Sequence, residues 1–82
     1  MVDNINNILK IIKKNKKKID ISKINEKDNL IEQFNINSLE FISIMTEIEK
    51  YFKIEIESED LIISNFDTIE KINNYILKKN SN

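Results

Sequence analysis

The apolar residues from Leu39 to Phe52 form the most strongly periodic run in the chain, and Asn37-Ser38-Leu39-Glu40 marks where that run begins. Ile44, Ile48 and Phe52 share one stripe of a helix, with Phe41 and Met45 beside it. Asn37 is a preferred N-cap residue, and Glu40 three positions later completes a capping-box pattern. The spacing therefore predicts a helix over Ser38–Phe52. Ser38 lies in its first turn, where backbone N–H groups have no intrahelical partner and the helix dipole is positive. A phosphate joined to Ser38 would occupy a natural anion site. A serine hydroxyl alone is a weak nucleophile, so the position makes most sense as one that another enzyme modifies. From the tetrapeptide by itself, an ordinary capping box with Ser38 as a plain first-turn residue is the simpler reading.

The 82 residues predict one domain, 1–82, with about 80–82 as a frayed tail. A domain this small buries only about 60–65% of its unfolded surface. It cannot also enclose a catalytic pocket of the usual size, roughly 300–1,000 Å³, without giving up core. The chain has no Cys and no His. That removes disulfides, thiolate nucleophiles, Cys/His zinc sites and every triad that needs an imidazole. The carboxylates of Glu57, Glu59 and Asp60 lack the loop spacing and the Gly of a calcium site. No stretch approaches the ~20 apolar residues of a membrane span. The expectation is a cytoplasmic monomer that catalyses nothing, binds no metal and does not enter a membrane.

Gly, Pro, Ala and Arg are all absent, which reads as an AT-rich coding bias rather than a fold signal. Turns that need a positive φ must then use Asn or Asp, the next-best residues after Gly. Asn15, Asn25, Asn29, Asn35 and Asn65 fall between the periodic runs, as that requires.

Charge is uneven along the chain. Residues 1–18 carry six Lys against one Asp, and residues 26–60 carry ten acids against three Lys. The acidic middle disfavours a nucleic-acid role. The run Lys13–Lys18 can be read as a basic patch for phosphate or membrane, or as the end of a helix where cations suit the dipole. The second reading is preferred, because no aromatic residues interleave with the lysines.

Ile5, Ile8, Leu9 and Ile12 predict a first helix from about residue 4 to about residue 17, with Asp3 as its cap. Residues 18–36 form a long connection that is too apolar for a disordered linker, with Ile19, Ile21, Ile24, Leu30, Ile31, Phe34 and Ile36 along it. A short helical turn fits near Glu26–Gln33. Ile54-Glu55-Ile56 reads as an extended dip with alternate residues inward. Ser58-Glu59-Asp60 suggests a cap and a short helix through Ile63. Asp67-Thr68-Ile69-Glu70 reads as a second capping box. It opens a last helix on Ile69, Ile72 and Ile76 that ends near Lys78-Lys79. The fold class is all-α: three longer helices, one short helix and a long loop after the first.

From its first helix to Ile76 the chain resembles the phosphopantetheine-binding family of acyl and peptidyl carrier proteins. The resemblance rests on Phe34-Asn35-Ile36-Asn37-Ser38-Leu39, which corresponds to the family's Asp-Ser-Leu string at the start of its second helix. It rests also on the downstream spacing of Ile44, Ile48, Glu49-Lys50-Tyr51-Phe52, Ile54-Glu55-Ile56 and Thr68-Ile69. The resemblance implies a small four-helix carrier bundle. It implies a 4'-phosphopantetheine arm, taken from coenzyme A by a phosphopantetheinyl transferase and attached to Ser38. It implies acyl or aminoacyl groups held on the arm as thioesters and delivered to loading and downstream biosynthetic enzymes. A chain without Cys agrees with an imported thiol.

Two departures stand out. Asn37 replaces the family's Asp and Asn35 replaces a common Gly; Asn caps as well as Asp, and Asn35 is tolerable in a left-handed conformation. Ser43, Thr46 and Lys50 stand where fatty-acid carriers resemble one another in an acidic row, while Glu40, Glu47 and Glu49 remain. Weaker steering of basic partners leaves more to apolar contacts such as Leu39 and Met45. Leu39, Glu40, Met45, Glu47 and Glu49 are thus the candidate partner surface, and Asn37 is the cap beside the attachment site. Met45 also fits the edge of the core, and the glutamates also fit a solvated face. The pattern leans toward a specialised pathway. A fatty-acid carrier and a non-covalent helical adaptor without an arm are the alternatives.

Overall fold

The computed structural model describes residues 4–80. Four α-helices carry the fold: α1 (Asn4–Asn15), α2 (Leu30–Phe34), α3 (Ser38–Phe52) and α4 (Ile69–Asn80). Short 3₁₀ turns lie at Ile21–Lys23, Ser58–Asp60 and Ile63–Asn65, and no strand occurs among the described residues. The fold is the all-α bundle that the periodicity predicts.

Helix α1 buries Ile8, Ile11 and Ile12 and packs against both α3 and α4. The predicted cap Asp3 lies outside the described residues. The helix stops at Asn15, short of residue 17, because its end is occupied by side chains. Asn15 Nδ2 donates to the Ile11 carbonyl at 2.9 Å, and Lys13 Nζ donates to the carbonyls of Lys17 and Ile19, each at 2.7 Å. Lys13 thereby fastens the turn that follows the helix back onto its last turn. The turn also draws Ile19 into the core.

The long connection is ordered by its isoleucines and by two backbone bonds to the start of α4. Leu30 N–H donates to the Asp67 carbonyl at 2.7 Å, and Glu70 N–H donates to the Glu26 carbonyl at 3.0 Å. Ile19, Leu30 and Ile36 are buried, and Ile21, Ile24, Ile31 and Phe34 pack against them.

The one short α-helix is α2, inside this connection. The predicted helix from Ser58 through Ile63 is instead two 3₁₀ turns, separated where Ile62 adopts extended angles. Leu61, Ile62 and Ile63 all reach solvent, so this segment has no apolar stripe to bury. Its anchor is Phe66, 2% exposed, whose ring meets Tyr75 edge-on at 5.0 Å.

The predicted Asp67–Glu70 capping box does not form at α4; a single side-chain cap one residue later takes its place. Thr68 Oγ1 accepts the Lys71 amide at 3.1 Å, while Asp67 pairs with the Lys71 ammonium at 2.9 Å. Ile69, Ile72 and Ile76 face inward as predicted, and α4 runs to Asn80 rather than ending near Lys79. Ile54 and Ile56 turn inward around exposed Glu55, as their alternation requires.

Candidate functional site

Three consecutive residues aim the start of α3. Asn35 ends α2 in the left-handed region, at φ 53° and ψ 40°. Ile36 is buried and pins the corner to the core. Asn37 then takes extended angles and closes the capping box. Its Oδ1 accepts the Glu40 amide at 2.8 Å, and Glu40 Oε1 accepts the Asn37 amide at 2.9 Å. The Asn in place of Gly and the Asn in place of Asp both do what their positions demand. Among the described residues the other positive φ belongs to Lys53, at 56°, rather than to an Asn or Asp. It ends α3, where the Ile54 amide donates to the Glu49 carbonyl at 3.1 Å.

Ser38 follows as the first residue of α3 and is exposed. Its hydroxyl has no hydrogen-bond partner among the described residues, and neither do the backbone amides of Ser38 and Leu39. Unpaired first-turn donors at a positive dipole end suit a phosphoryl group. The nearest acid, Glu40, is turned back into the capping box and toward Lys16, whose ammonium lies 3.2 Å from Oε1. The Asn37 amide first, and then Lys16, holds the Glu40 carboxyl below its ordinary range. An exposed hydroxyl, open amides and a withdrawn carboxylate together fit a covalently attached phosphodiester.

The candidate partner surface divides. Leu39 is 83% exposed. Met45 is 2% exposed and belongs to the core, so it is corrected from partner contact to packing residue. Its expected place on the outer face is filled by Ile42, 46% exposed, which the sequence reading passed over. Ile42 stands one turn beyond Leu39, and that i, i+3 relation was the available signal.

The glutamates are engaged within the chain. Glu47 lies 3.4 Å from the Lys14 ammonium and accepts from Asn15 Nδ2 at 3.3 Å. Glu49 Oε2 accepts the Ile56 amide at 2.8 Å and so fastens the extended dip. The residues of α3 left facing solvent are Ser38, Leu39, Ile42, Ser43, Thr46, Lys50 and Tyr51, and none is acidic.

Among the described residues no cluster of His, Cys, Asp and Glu can hold a metal ion, and no helix is long and apolar enough to cross a membrane. A comparison with curated proteins returns no significant match. The family model described as the phosphopantetheine attachment site matches residues 8–76, from the first buried isoleucine of α1 to the last of α4. With that match spanning well over half of its length, the chain belongs to the phosphopantetheine attachment-site family and is a carrier of covalent 4'-phosphopantetheine.

Proposed function

We propose that Ser38 is the attachment residue, and that the chain holds acyl or aminoacyl intermediates and delivers them to partner enzymes. The observation that carries this reading is an exposed, unpartnered hydroxyl at the capped start of α3. In the loading step the Ser38 oxygen bonds to the β-phosphorus of coenzyme A. The anhydride bond to the α-phosphate breaks, adenosine 3',5'-bisphosphate leaves, and the hydroxyl proton passes to a base on a phosphopantetheinyl transferase. The attached arm supplies a thiol, able to hold a thioester, that this chain lacks.

The chain itself positions the arm and offers a docking face; it performs no chemistry on the cargo. Residues 1–82 act as one carrier domain in the cytoplasm, as a monomer. Leu39 and Ile42 form the apolar contact for partners, with Glu40, Glu47 and Glu49 at its margin. A specialised pathway, secondary-metabolite or aminoacyl, is favoured over fatty-acid synthesis by the lack of exposed acids along α3. A partner guided by an acidic row would find little to steer it.

Intact mass after incubation with coenzyme A, Mg²⁺ and a promiscuous transferase tests the assignment. One added phosphopantetheine, absent in Ser38→Ala, supports it. No gain with several competent transferases leaves the armless adaptor as the better reading.

A further inference from the structure

Beside the start of α3 is an open cleft of about 340 Å³, at the small end of ligand sites. Lys16, Lys18, Lys23, Gln33, Phe34 and Asn35 line it, over Ile19. It adjoins Ser38 by two routes. Asn35 precedes the serine by three residues, a span of at most about 11 Å. Lys16 lines the cleft and also bonds Glu40, two residues after the serine.

The charges of the cleft are not balanced internally. The ammonium groups of Lys18 and Lys23 make no hydrogen bond or ion pair within 4 Å with another described residue. Asp20, the one acid in the lining, spends Oδ1 on the Ser22 amide at 3.1 Å and the Ser22 hydroxyl at 2.6 Å. Lys16 is shared with Glu40. The lining therefore retains positive charge, an apolar patch from Ile19 and Phe34, and side-chain amides from Gln33 and Asn35.

We infer that this cleft is the resting site of the phosphopantetheine arm, with Lys16 and Asn35 at its entrance beside Ser38, Lys18 and Lys23 adding positive charge for the anionic end, Phe34 an apolar surface for the geminal methyl groups, and Gln33 a side-chain amide for the arm's own amides. The inference rests on Ser38 as the attachment residue. The arm is anionic at its attached end, then branched and apolar, then twice amidic, and the lining supplies a complement to each part. The lysines after α1 thus have a use beyond closing that helix. They screen the phosphodiester charge next to Ser38 without help from a partner.

The test compares apo and holo protein by ¹H–¹⁵N correlation spectra, after intact mass has established loading. The expected result is backbone shifts at Lys18–Lys23 and Gln33–Phe34, beyond the immediate neighbours of Ser38. Cross-relaxation between the arm's geminal methyl protons and the Phe34 ring should accompany them. Once intact mass shows it fully loaded, the exposed double variant Lys18→Gln/Lys23→Gln should lose at least half of those shifts, while Lys10→Gln keeps them; a loaded double variant that keeps them all overturns the cleft. A loaded protein whose shifts stay within Asn35–Glu40, with arm resonances like those of free pantetheine, overturns the cleft and leaves Ser38 standing. No gain in mass overturns both readings.

Discussion

Lys16 and Glu40 meet at 3.2 Å across 24 residues of chain, joining the end of α1 to the first turn of α3. The same carboxylate receives the Asn37 amide, so one acid serves both the capping box and the contact between helices. The electrostatics beside Ser38 follow from this pair.

Acid should act on that junction first. Glu40 is held below its ordinary 4.5 by the Asn37 amide and by Lys16. Its contribution to stability is therefore complete above that value and is lost as pH falls through the lower native one. Asp20, held below 3.8 by the Ser22 hydroxyl and amide, acts in the same direction. Circular-dichroism melts should give a level Tm from neutral pH to about 5 and a decline below it. Glu40→Gln should start lower and decline less. Asn37→Ala should cost about 1 kcal/mol, whereas Asn37→Asp keeps the cap.

The end of α3 carries removable strain. Lys53 holds a left-handed conformation that disfavours a side chain by about 1–2 kcal/mol. Glycine relieves this, less about 0.5–1 kcal/mol of its own entropy cost. Lys53→Gly should raise stability by about 0.5–1 kcal/mol. Lys53→Val should lower it, both measured by urea denaturation.

Tyr75 ties the segment before α4 to that helix. Its hydroxyl accepts the Glu57 amide at 3.2 Å and donates to Asp60 Oδ2 at 3.0 Å. Lys79 pairs with Glu57 at 3.2 Å and lies over the Tyr75 ring. Tyr75→Phe should cost about 1–2 kcal/mol. Amide exchange should quicken over 57–66, with α1 and α3 less affected.

The two faces of α3 should separate stability from recognition. Met45→Ala should destabilise by about 2–5 kcal/mol because the side chain fills the core. Leu39→Ser and Ile42→Ser should stay within about 0.5 kcal/mol of the parent. Each should nonetheless lower transferase kcat/KM by roughly fivefold or more, the loss expected from truncating an apolar interface contact. Unchanged loading by both serine variants would remove them from the docking face.

What the sequence alone determined lies within a few residues of itself. The 3.6-residue periodicity marked α1, α3 and α4, and the Asn37–Glu40 spacing located the start of α3 and Ser38 on it. Asn35 was legible as the left-handed corner because so few residue types tolerate that conformation. The tertiary structure decided which flank of the α3 stripe is inside. It buried Met45 and exposed Ile42, a choice set by how the rest of the core packs against α3 rather than by α3 itself. It paired Glu40 with Lys16 and Glu47 with Lys14, contacts whose partners lie more than twenty residues away. It also made Phe66 a core anchor at a position with no periodicity to announce it. Caps and helical stripes arise from neighbours one turn apart, whereas burial and charge pairing depend on elements that only the folded chain brings together.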